Sequence, residues 1–299
     1  MLQKQKKLAI LIGLALAVIT PLIIFHARAP VLIVTEQSFI PLYGEARIKR
    51  EILISSIILF RQIRPVVVAD DAGFDIVPFA IAEVSSKPYC VLFPLRFIRA
   101  ARLYRETNPG IPVVLLEGRH SADNSLYAIG GNPNDYFIYG TDIDNDFYRA
   151  GTAAAALNMD KNGKIAVFID YSIDTSAREA FERAVNSNRP APETLFFTSF
   201  SQFSEISDLS CVVLAGAGIE YLEKNEGIPV IFLSWIDPLM IPVDVILVIN
   251  DAPWVQAVQA VRMAERSMEQ GRIQSKFTII NDKNIDRKTL RFLKNRAKI

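Results

Sequence analysis

Short apolar segments alternate with longer amphipathic segments along most of the chain. The apolar segments are continuous, rich in Val and Ile, and bounded by Gly, Pro, Asp or Asn, which is typical of strands buried on both faces. Ten segments predict strands: Val31–Val34, Val66–Ala69, Tyr89–Phe93, Val113–Leu116, Phe137–Tyr139, Ile165–Ile169, Thr194–Thr198, Cys211–Ala215, Val230–Leu233 and Val245–Ile249. The amphipathic segments predict helices at Gly44–Gln62, Arg96–Thr107, Tyr148–Asn158, Thr175–Asn186, Ala217–Asn225 and Pro253–Gln270. The tail adds a predicted strand at Phe277–Ile280 and a basic helix at Arg287–Lys298.

This alternation predicts an α/β fold of doubly wound parallel sheets. The number of strands exceeds what one sheet holds comfortably, so we expect two Rossmann-like lobes. The chain is expected to cross between the lobes within the polar segment 130–146 and again near Asn250–Asp251. The predicted lobes are 31–140 with 251–274, and 141–250 with 275–299.

Residues 1–30 form a separate segment. Leu8–Phe25 is an apolar run, and three lysines precede it. Cations before such a run keep its amino end in the cytoplasm and send the following chain across the membrane. The segment is therefore predicted to be an uncleaved transmembrane anchor, or a signal peptide cut after Ala27-Arg28-Ala29. Either way, we expect a periplasmic or other extracytoplasmic body, tethered to the cytoplasmic membrane by this helix or released after cleavage.

Charge and cysteine content exclude several classes of protein. The whole chain of 299 residues has a net charge of +1, but residues 1–29 carry four cations and no acid, so the remainder is mildly acidic. Such a body lacks the cationic excess that nucleic-acid binding needs. Cys90 and Cys211 lie in different predicted strands and are expected to be buried free thiols. No catalytic motif occurs and the two histidines are isolated, so we expect a binding protein without cofactor or metal rather than an enzyme.

Candidate site residues follow from a rule for open α/β sheets, whose ligands bind beyond the carboxyl ends of the strands. The side chains there are mostly acids, amides, hydroxyls and aromatics, which suit a neutral polar ligand such as a sugar or nucleoside. The predicted ligand-binding residues are Ser38, Phe39, Asp144, Asn145, Phe147, Tyr171, Gly216, Trp235, Asp237 and Asn250. Among these, Phe39 and Trp235 are the predicted stacking faces, and Asp144 and Asp237 the predicted hydroxyl acceptors. Turn or cap positions explain the acids equally well, and core packing explains Phe147.

Several segments also resemble a known superfamily. Asp144-Asn145-x-Phe147-x-x-Ala150-Gly151 resembles the lobe-crossing segment of type I periplasmic binding proteins. Within that superfamily, Glu36-Gln37-Ser38-Phe39, Cys211–Gly218 and Ile228–Asp237 are similar to segments of the basic membrane protein family of nucleoside receptors, in which the last Asp contacts the ribose. Gln37 and Ile40 differ from that family, which has an acid and an Asn at those positions. The resemblance implies capture of a small polar ligand between two lobes and its delivery to an ABC permease in the inner membrane.

Two other functions remain open at this stage. A membrane-anchored sensory or scaffold module would keep the fold and lose transport. A membrane-anchored glycosyltransferase would also have two doubly wound lobes, because fold does not fix function. The second alternative needs cations near a diphosphate, and Arg119 alone is suitably placed in the sequence.

Overall fold

The computed structural model describes most of the chain outside its amino terminus. The described residues are 19–118, 136–158, 163–170, 173, 175–187, 190–202, 206, 208–223, 227–234, 245–281 and 285–296. They form two six-stranded sheets that differ in one respect. All strands of the first sheet are parallel, whereas β12 at the edge of the second runs antiparallel to its neighbour.

The first sheet has the strand order β11-β5-β4-β3-β1-β2. Its strands are β1 (Val31–Glu36), β2 (Ile63–Val68), β3 (Cys90–Pro94), β4 (Val113–Glu117), β5 (Phe137–Thr141) and β11 (Gln270–Ile273). The second sheet has the order β12-β10-β9-β8-β6-β7. Its strands are β6 (Lys164–Ile169), β7 (Thr194–Phe197), β8 (Leu209–Ala215), β9 (Val230–Leu233), β10 (Val245–Asn250) and β12 (Lys276–Ile279).

Helices cover both sheets. They are α1 (19–27), α2 (Phe39–Tyr43), α3 (Glu45–Leu59), α4 (Val77–Val84), α5 (Ile98–Thr107), α6 (Ile143–Asn158), α7 (Thr175–Asn186), α8 (Pro253–Glu265) and α9 (Arg287–Arg296). Helices α2, α3 and α8 share a hydrophobic cluster with one face of the first sheet, and α4 and α5 share another with the opposite face. Helices α6, α7 and α9 pack on one face of the second sheet. Because both faces of the sheets are covered, the central strands are apolar at nearly every position.

All ten internal strands predicted from the sequence are present, and their ends differ from the prediction by at most three residues. The tail strand and the tail helix are also present, as β12 and α9. Cys90 in the first sheet and Cys211 in the second are buried free thiols, as predicted. The α/β fold with two parallel-dominated sheets is therefore confirmed.

The predicted helix Pro253–Gln270 is wrong at its carboxyl end. Helix α8 stops at Glu265, and the chain then forms β11 beside β5. Gly271, which directly follows the predicted helix, lies in that strand, where an added Cβ would meet Met263 Cε, the flexible end of a side chain of α8. The glycine therefore lies beside α8 within a strand and does not mark the end of a helix.

Two other helix predictions need correction, and one helix was not predicted. Within the described part of the predicted helix Ala217–Asn225, Ile219–Glu223 forms a short 3₁₀ turn, because Gly216 and Gly218 before it have positive φ angles that a helix does not contain. Helix α6 begins five residues before the predicted Tyr148. Helix α4 was missed, because its sequence is apolar without a helical period.

The predicted membrane anchor lies mostly outside the described residues. Residues 19–27 are helical and belong to the carboxyl-terminal part of the apolar run. In the part of the chain that the structure describes, no helix combines the length and the apolar character needed to cross a membrane.

Candidate functional site

The chain passes between the two sheets three times, and every passage lies at carboxyl ends of strands. The connections are Thr141–Ile143 between β5 and α6, Asn250–Pro253 between β10 and α8, and Ile273–Lys276 between β11 and β12. The first and third leave the first sheet from paired positions of β5 and β11, and the third arrives beside the carboxyl end of β10. The carboxyl edges of the two sheets therefore face each other at these connections. This junction is where a doubly wound fold binds its ligand.

On the first sheet, three side chains form a cluster just after β1 and β3. Arg96 forms an ion pair with Glu36, and its guanidinium lies 5.2 Å from the centre of the Phe39 ring. Partial burial lowers the pKa of Arg96 from its ordinary value. The charge of the arginine is therefore compensated at close range, and one face of the predicted stacking residue Phe39 is covered.

Ser38 is fixed by a contact between neighbouring strand ends. Its backbone N–H donates a hydrogen bond of 3.0 Å to Asp70 Oδ1, which follows β2. The loops after β1 and β2 are therefore joined. The Asp70 carboxylate is therefore engaged by a long-range contact with the loop after β1.

A row of opposite charges crosses the carboxyl ends of β4, β5 and β11. Glu117 and Arg272 are the register partners of Gly140 on either side. A Cβ atom added to Gly140 would lie 3.3 Å from Glu117 Oε2 and 3.5 Å from Arg272 Nη1. Because Gly140 has no side chain, the space between the Glu117 carboxylate and the Arg272 guanidinium stays open. Nearby, Asp251 Oδ2 lies 3.8 Å from the corresponding position at Gly118.

On the second sheet, the predicted residues Asp144 and Asn145 lie in the first turn of α6. The Asn145 backbone N–H donates to Asp142 Oδ1 at 3.3 Å, which favours the start of the helix before Tyr148. Ser176 Oγ, at the start of α7, donates to Asp144 Oδ1 at 2.8 Å. The Asp144 carboxylate is therefore held at the amino ends of two helices while staying exposed to solvent.

Asn145 also borders a pocket. Its Nδ2 atom is buried and has no hydrogen-bond partner among the described residues. The pocket lies between α6, β12 and α9, and its other lining residues are Tyr148, Arg149, Thr152, Ala153, Phe277 and Leu293. A buried amide nitrogen therefore belongs to a residue that lines a mostly apolar cavity.

The predicted site residue Phe147 lies away from the facing edges. Its side chain is fully buried in the cluster that α6 and α7 form with the second sheet. The next turn of α6 holds the third connection in place: Ser275 Oγ donates to Asp146 Oδ2 at 2.5 Å, and Arg149 Nη1 donates to the Ser275 carbonyl at 2.8 Å. Helix α6 therefore has two roles at the junction. Asp144 in its first turn is exposed there, and Asp146 and Arg149 hold Ser275 of the third connection in place.

Two side-chain contacts join the units across the junction. Asn250 Nδ2 donates to Tyr43 Oη at 3.0 Å, and Asn250 Oδ1 accepts from the Ala252 N–H at 2.8 Å. Lys276 Nζ lies 2.7 and 2.9 Å from the two carboxylate oxygens of Glu51, which is buried in α3. Both polar atoms of the predicted ligand residue Asn250 thus have partners within the protein.

The contact between Tyr43 and Asn250 predicts a pH effect. Burial raises the pKa of Tyr43 to about 12, although the nearby Arg47 opposes the shift. Because the phenol in the unfolded chain ionises near pH 10, its contribution to the free energy of unfolding is complete below that pH and is lost as the pH rises towards 12. Tyr43→Phe should reduce the loss of stability between pH 8 and pH 11 by about 1.4 kcal/mol. Urea unfolding of both proteins at pH 8 and pH 11 measures this difference, and equal losses would contradict it.

Of the remaining predicted residues, the structure describes Gly216 but not the other three. Gly216 follows β8 with a φ of 85° and is exposed at the carboxyl edge of the second sheet. Tyr171, Trp235 and Asp237 lie outside the described residues. The structure thus places Ser38, Phe39, Asp144, Asn145 and Gly216 at or near the junction; Asn250 lies in it but is held by partners within the protein.

Arg96 and Arg272 were missed as candidate site residues. Arg96 follows the predicted strand Tyr89–Phe93 by three residues, close enough for the strand-end rule to consider it, whereas Arg272 lies in β11, a strand that the sequence did not predict. Within the described ranges, no group of three His, Cys, Asp or Glu side chains has the arrangement of a metal site.

Comparison with known proteins gives matches only among solved structures. No protein-family model and no curated protein matches the chain. A periplasmic solute-binding protein of an ABC transporter from Actinobacillus succinogenes, with bound D-allose, has a TM-score of 0.54 and 13% identity over 84% of this chain and 97% of its own. A sugar-binding protein of a sugar ABC transporter from Bacillus halodurans has a TM-score of 0.54 and 13% identity over 86% of this chain and 99% of its own.

The chain has the fold of the type I periplasmic binding proteins. The same fold occurs in a transcriptional activator of the comK gene from Bacillus halodurans, with a TM-score of 0.59 and 11% identity over 90% of this chain and 96% of that one. At such low identities the likeness concerns the fold. The similarity to nucleoside receptors seen in the sequence stays a prediction.

Proposed function

We propose that this protein is an extracytoplasmic solute-binding protein that captures a neutral sugar-like ligand between its two α/β units. The observation that carries the proposal is the junction itself, at which three connections bring the carboxyl edges of both sheets opposite each other. A ligand bound there would contact both units at once. Its binding would favour the closed arrangement, exclude water and strengthen each buried hydrogen bond.

The charges at the junction favour a neutral ligand over an anion or a cation. Arg96 is paired with Glu36, and Arg272 lies on the opposite side of Gly140 from Glu117. Each described cation in this region therefore has a carboxylate close by. Compensated charges of this kind offer both donors and acceptors to hydroxyl groups, as a sugar requires, and no net field that would attract a phosphate.

Asp144, Asn145, Ser38 and Phe39 are the proposed contacts among the described residues, with Tyr171, Gly216, Trp235, Asp237 and Asn250 retained from the sequence. Solved structures of this fold with bound D-allose or α-D-tagatopyranose support the choice of ligand class. A nucleoside remains the finer alternative within the same proposal. Delivery to an ABC permease, anchoring by residues 1–30 and the lack of an enzymatic activity complete the proposed function.

Binding is tested by calorimetry against a panel of neutral monosaccharides and nucleosides, after mass spectrometry of any small molecule that copurifies with the protein. We expect one class to bind and to raise the melting temperature, because a ligand that binds only the folded state stabilises it. Asp144→Ala should weaken that binding by about tenfold or more, since a charged acceptor of a ligand hydroxyl contributes on the order of 1.5–3 kcal/mol.

Glu182→Ala is the matched control for Asp144→Ala. Glu182 is an exposed acid of the second unit, on α7, and it pairs with Arg178 within its own helix. Removing it alters the net charge by the same amount without touching the junction. Equal affinities of the wild type and both variants would remove Asp144 from the site.

One observation favours the sensory or scaffold alternative. The ring of Phe39 is covered by Arg96 and is therefore already engaged within the protein. If no sugar or nucleoside binds and nothing copurifies, the junction is a closed structural joint and the transport proposal is wrong. Turnover of a sugar nucleotide would instead support the glycosyltransferase alternative.

A further inference from the structure

The carboxyl-terminal half of helix α3 buries polar side chains and exposes large aliphatic ones, although Ile48, Ile52 and Leu59 of the same helix face the core. The residues it buries are Ile48, Glu51, Ser55 and Ser56. The large aliphatic residues it exposes are Leu53, Ile54, Ile57 and Ile58, of which Leu53 is 61% and Ile57 64% accessible. We call these four residues the α3 apolar surface. A cluster of exposed aliphatic side chains on one helix face is typical of a contact surface rather than of a solvated helix.

Two of the buried polar residues of α3 have specific partners within the protein. Glu51 binds Lys276 of β12 with both carboxylate oxygens. Ser56 Oγ accepts a hydrogen bond of 2.9 Å from the Ile63 N–H at the start of β2. The orientation of the helix is therefore fixed by buried polar contacts, and it turns the α3 apolar surface outward.

The α3 apolar surface lies beside the end of the amino-terminal apolar segment. The rings of Phe25 in α1 and Phe60 after α3 are 5.8 Å apart, and Arg28 Nη1 donates to the Phe60 carbonyl. Gln62 Nε2 is 2.5 Å from His26 Nδ1. These contacts hold α1, which continues the run predicted to enter the membrane, against the carboxyl end of α3.

Basic residues flank the α3 apolar surface at both ends. Arg47, Lys49 and Arg50 precede it on α3, and Arg28, Arg61 and Arg64 lie at its other end. Glu45, which pairs with Lys49, is the one exposed acid within α3, because Glu51 is buried. An aliphatic patch between two groups of cations matches the chemistry of an anionic phospholipid surface, whose acyl region accepts the aliphatic groups and whose phosphates accept the cations.

We propose that the α3 apolar surface contacts the membrane that holds the amino-terminal segment, so that the first unit lies on the bilayer. The occupant is a lipid surface containing anionic phospholipid. A second copy of the chain fits less well, because a symmetric pairing through α3 would bring the same groups of cations together. The inference rests on the membrane tether of the proposed function but is independent of which ligand is bound.

The test uses the full chain reconstituted in vesicles of phosphatidylcholine with phosphatidylglycerol. Both native cysteines are buried, and burial raises the pKa of Cys90 to about 12, so an introduced thiol can be labelled selectively. In the test variant, an environment-sensitive fluorophore is attached to the cysteine of Ile57→Cys on the α3 apolar surface. In the control variant, it is attached to the cysteine of Glu179→Cys on the exposed side of α7. We expect blue-shifted emission at position 57 and quenching by doxyl-labelled lipid at least about threefold greater than at position 179.

Each outcome separates the proposed surface from its alternatives. Weak quenching by lipid at both positions, in protein that floats with the vesicles, leaves the tether intact and overturns the α3 proposal. A blue shift at position 57 without lipid quenching also overturns it, because the chain's own segment or a second copy then covers the surface. Failure of the full chain to float with vesicles overturns both the tether and the surface, while calorimetry still reports on ligand binding. Greater quenching at 57 that falls when phosphatidylglycerol is omitted supports the proposal.

Discussion

Gly151→Val is expected to destabilise the second unit by about 3 kcal/mol, because overpacking at a rigid helix contact usually costs 1–3 kcal/mol and here the neighbour is backbone. A Cβ atom at this position would lie 2.6 Å from the Phe181 carbonyl oxygen and 3.0 Å from Ala184 Cβ. In an open helix the change to Ala would instead stabilise by about 0.5–1 kcal/mol. Urea unfolding measures the effect, and Gly151→Ala should lie between wild type and Gly151→Val.

Gly110→Val is the matched control, because an added Cβ at Gly110 meets no atom within 4 Å. Its effect should stay within about 0.5 kcal/mol, as for most exposed substitutions. If Gly151→Val is no more destabilising than Gly110→Val, then α6 and α7 are not packed as closely as the structure shows. Since Asp144 and Ser176 lie at the amino ends of these helices, loosening the pair should also disturb that edge of the junction.

The strands could be predicted from the sequence because a strand that is buried on both faces is apolar along its whole length. That pattern can be recognised without knowing the tertiary contacts. Segments such as Val230–Leu233 are apolar at every position, whereas the amphipathic helices α5 and α7 mix apolar and charged residues. The same reasoning failed for β11, whose sequence Gln-Gly-Arg-Ile is half polar and contains a glycine. An edge strand of this kind depends on tertiary contacts that no local pattern contains.

The sequence predicted where the candidate site lies, but it predicted only some of the side chains that are found there and few of their contacts. The strand-end rule selected Ser38, Asp144 and Gly216 because it depends on strand positions alone. It did not indicate that Arg96 covers Phe39, or that Asn250 is held by Tyr43, since both contacts join segments far apart in the chain. The same limit applies to α3, whose outward aliphatic face depends on the partner of Glu51 in β12.

Phe147→Ala is expected to lower the free energy of unfolding by about 3–5 kcal/mol, the range found when a fully buried aromatic side chain is truncated. Phe147 is inaccessible to solvent and packs in the same cluster as Ala150 and Phe181. Phe79→Ala is the control, because Phe79 is 72% exposed on α4 and its loss should cost less than about 0.5 kcal/mol. Urea unfolding of the two variants measures both effects.

Phe147→Leu separates packing from the ligand contact that the sequence predicted for this residue. Leucine keeps the position apolar and most of its volume, so the loss of stability should be well below that of Phe147→Ala. If Phe147 acts only through the core, the affinity for the ligand found by calorimetry should stay within about twofold of wild type, since 1.4 kcal/mol is needed for a tenfold change. A tenfold weaker affinity in a stable Phe147→Leu protein would show that the aromatic ring reaches the ligand and that the junction extends into the second unit along α6.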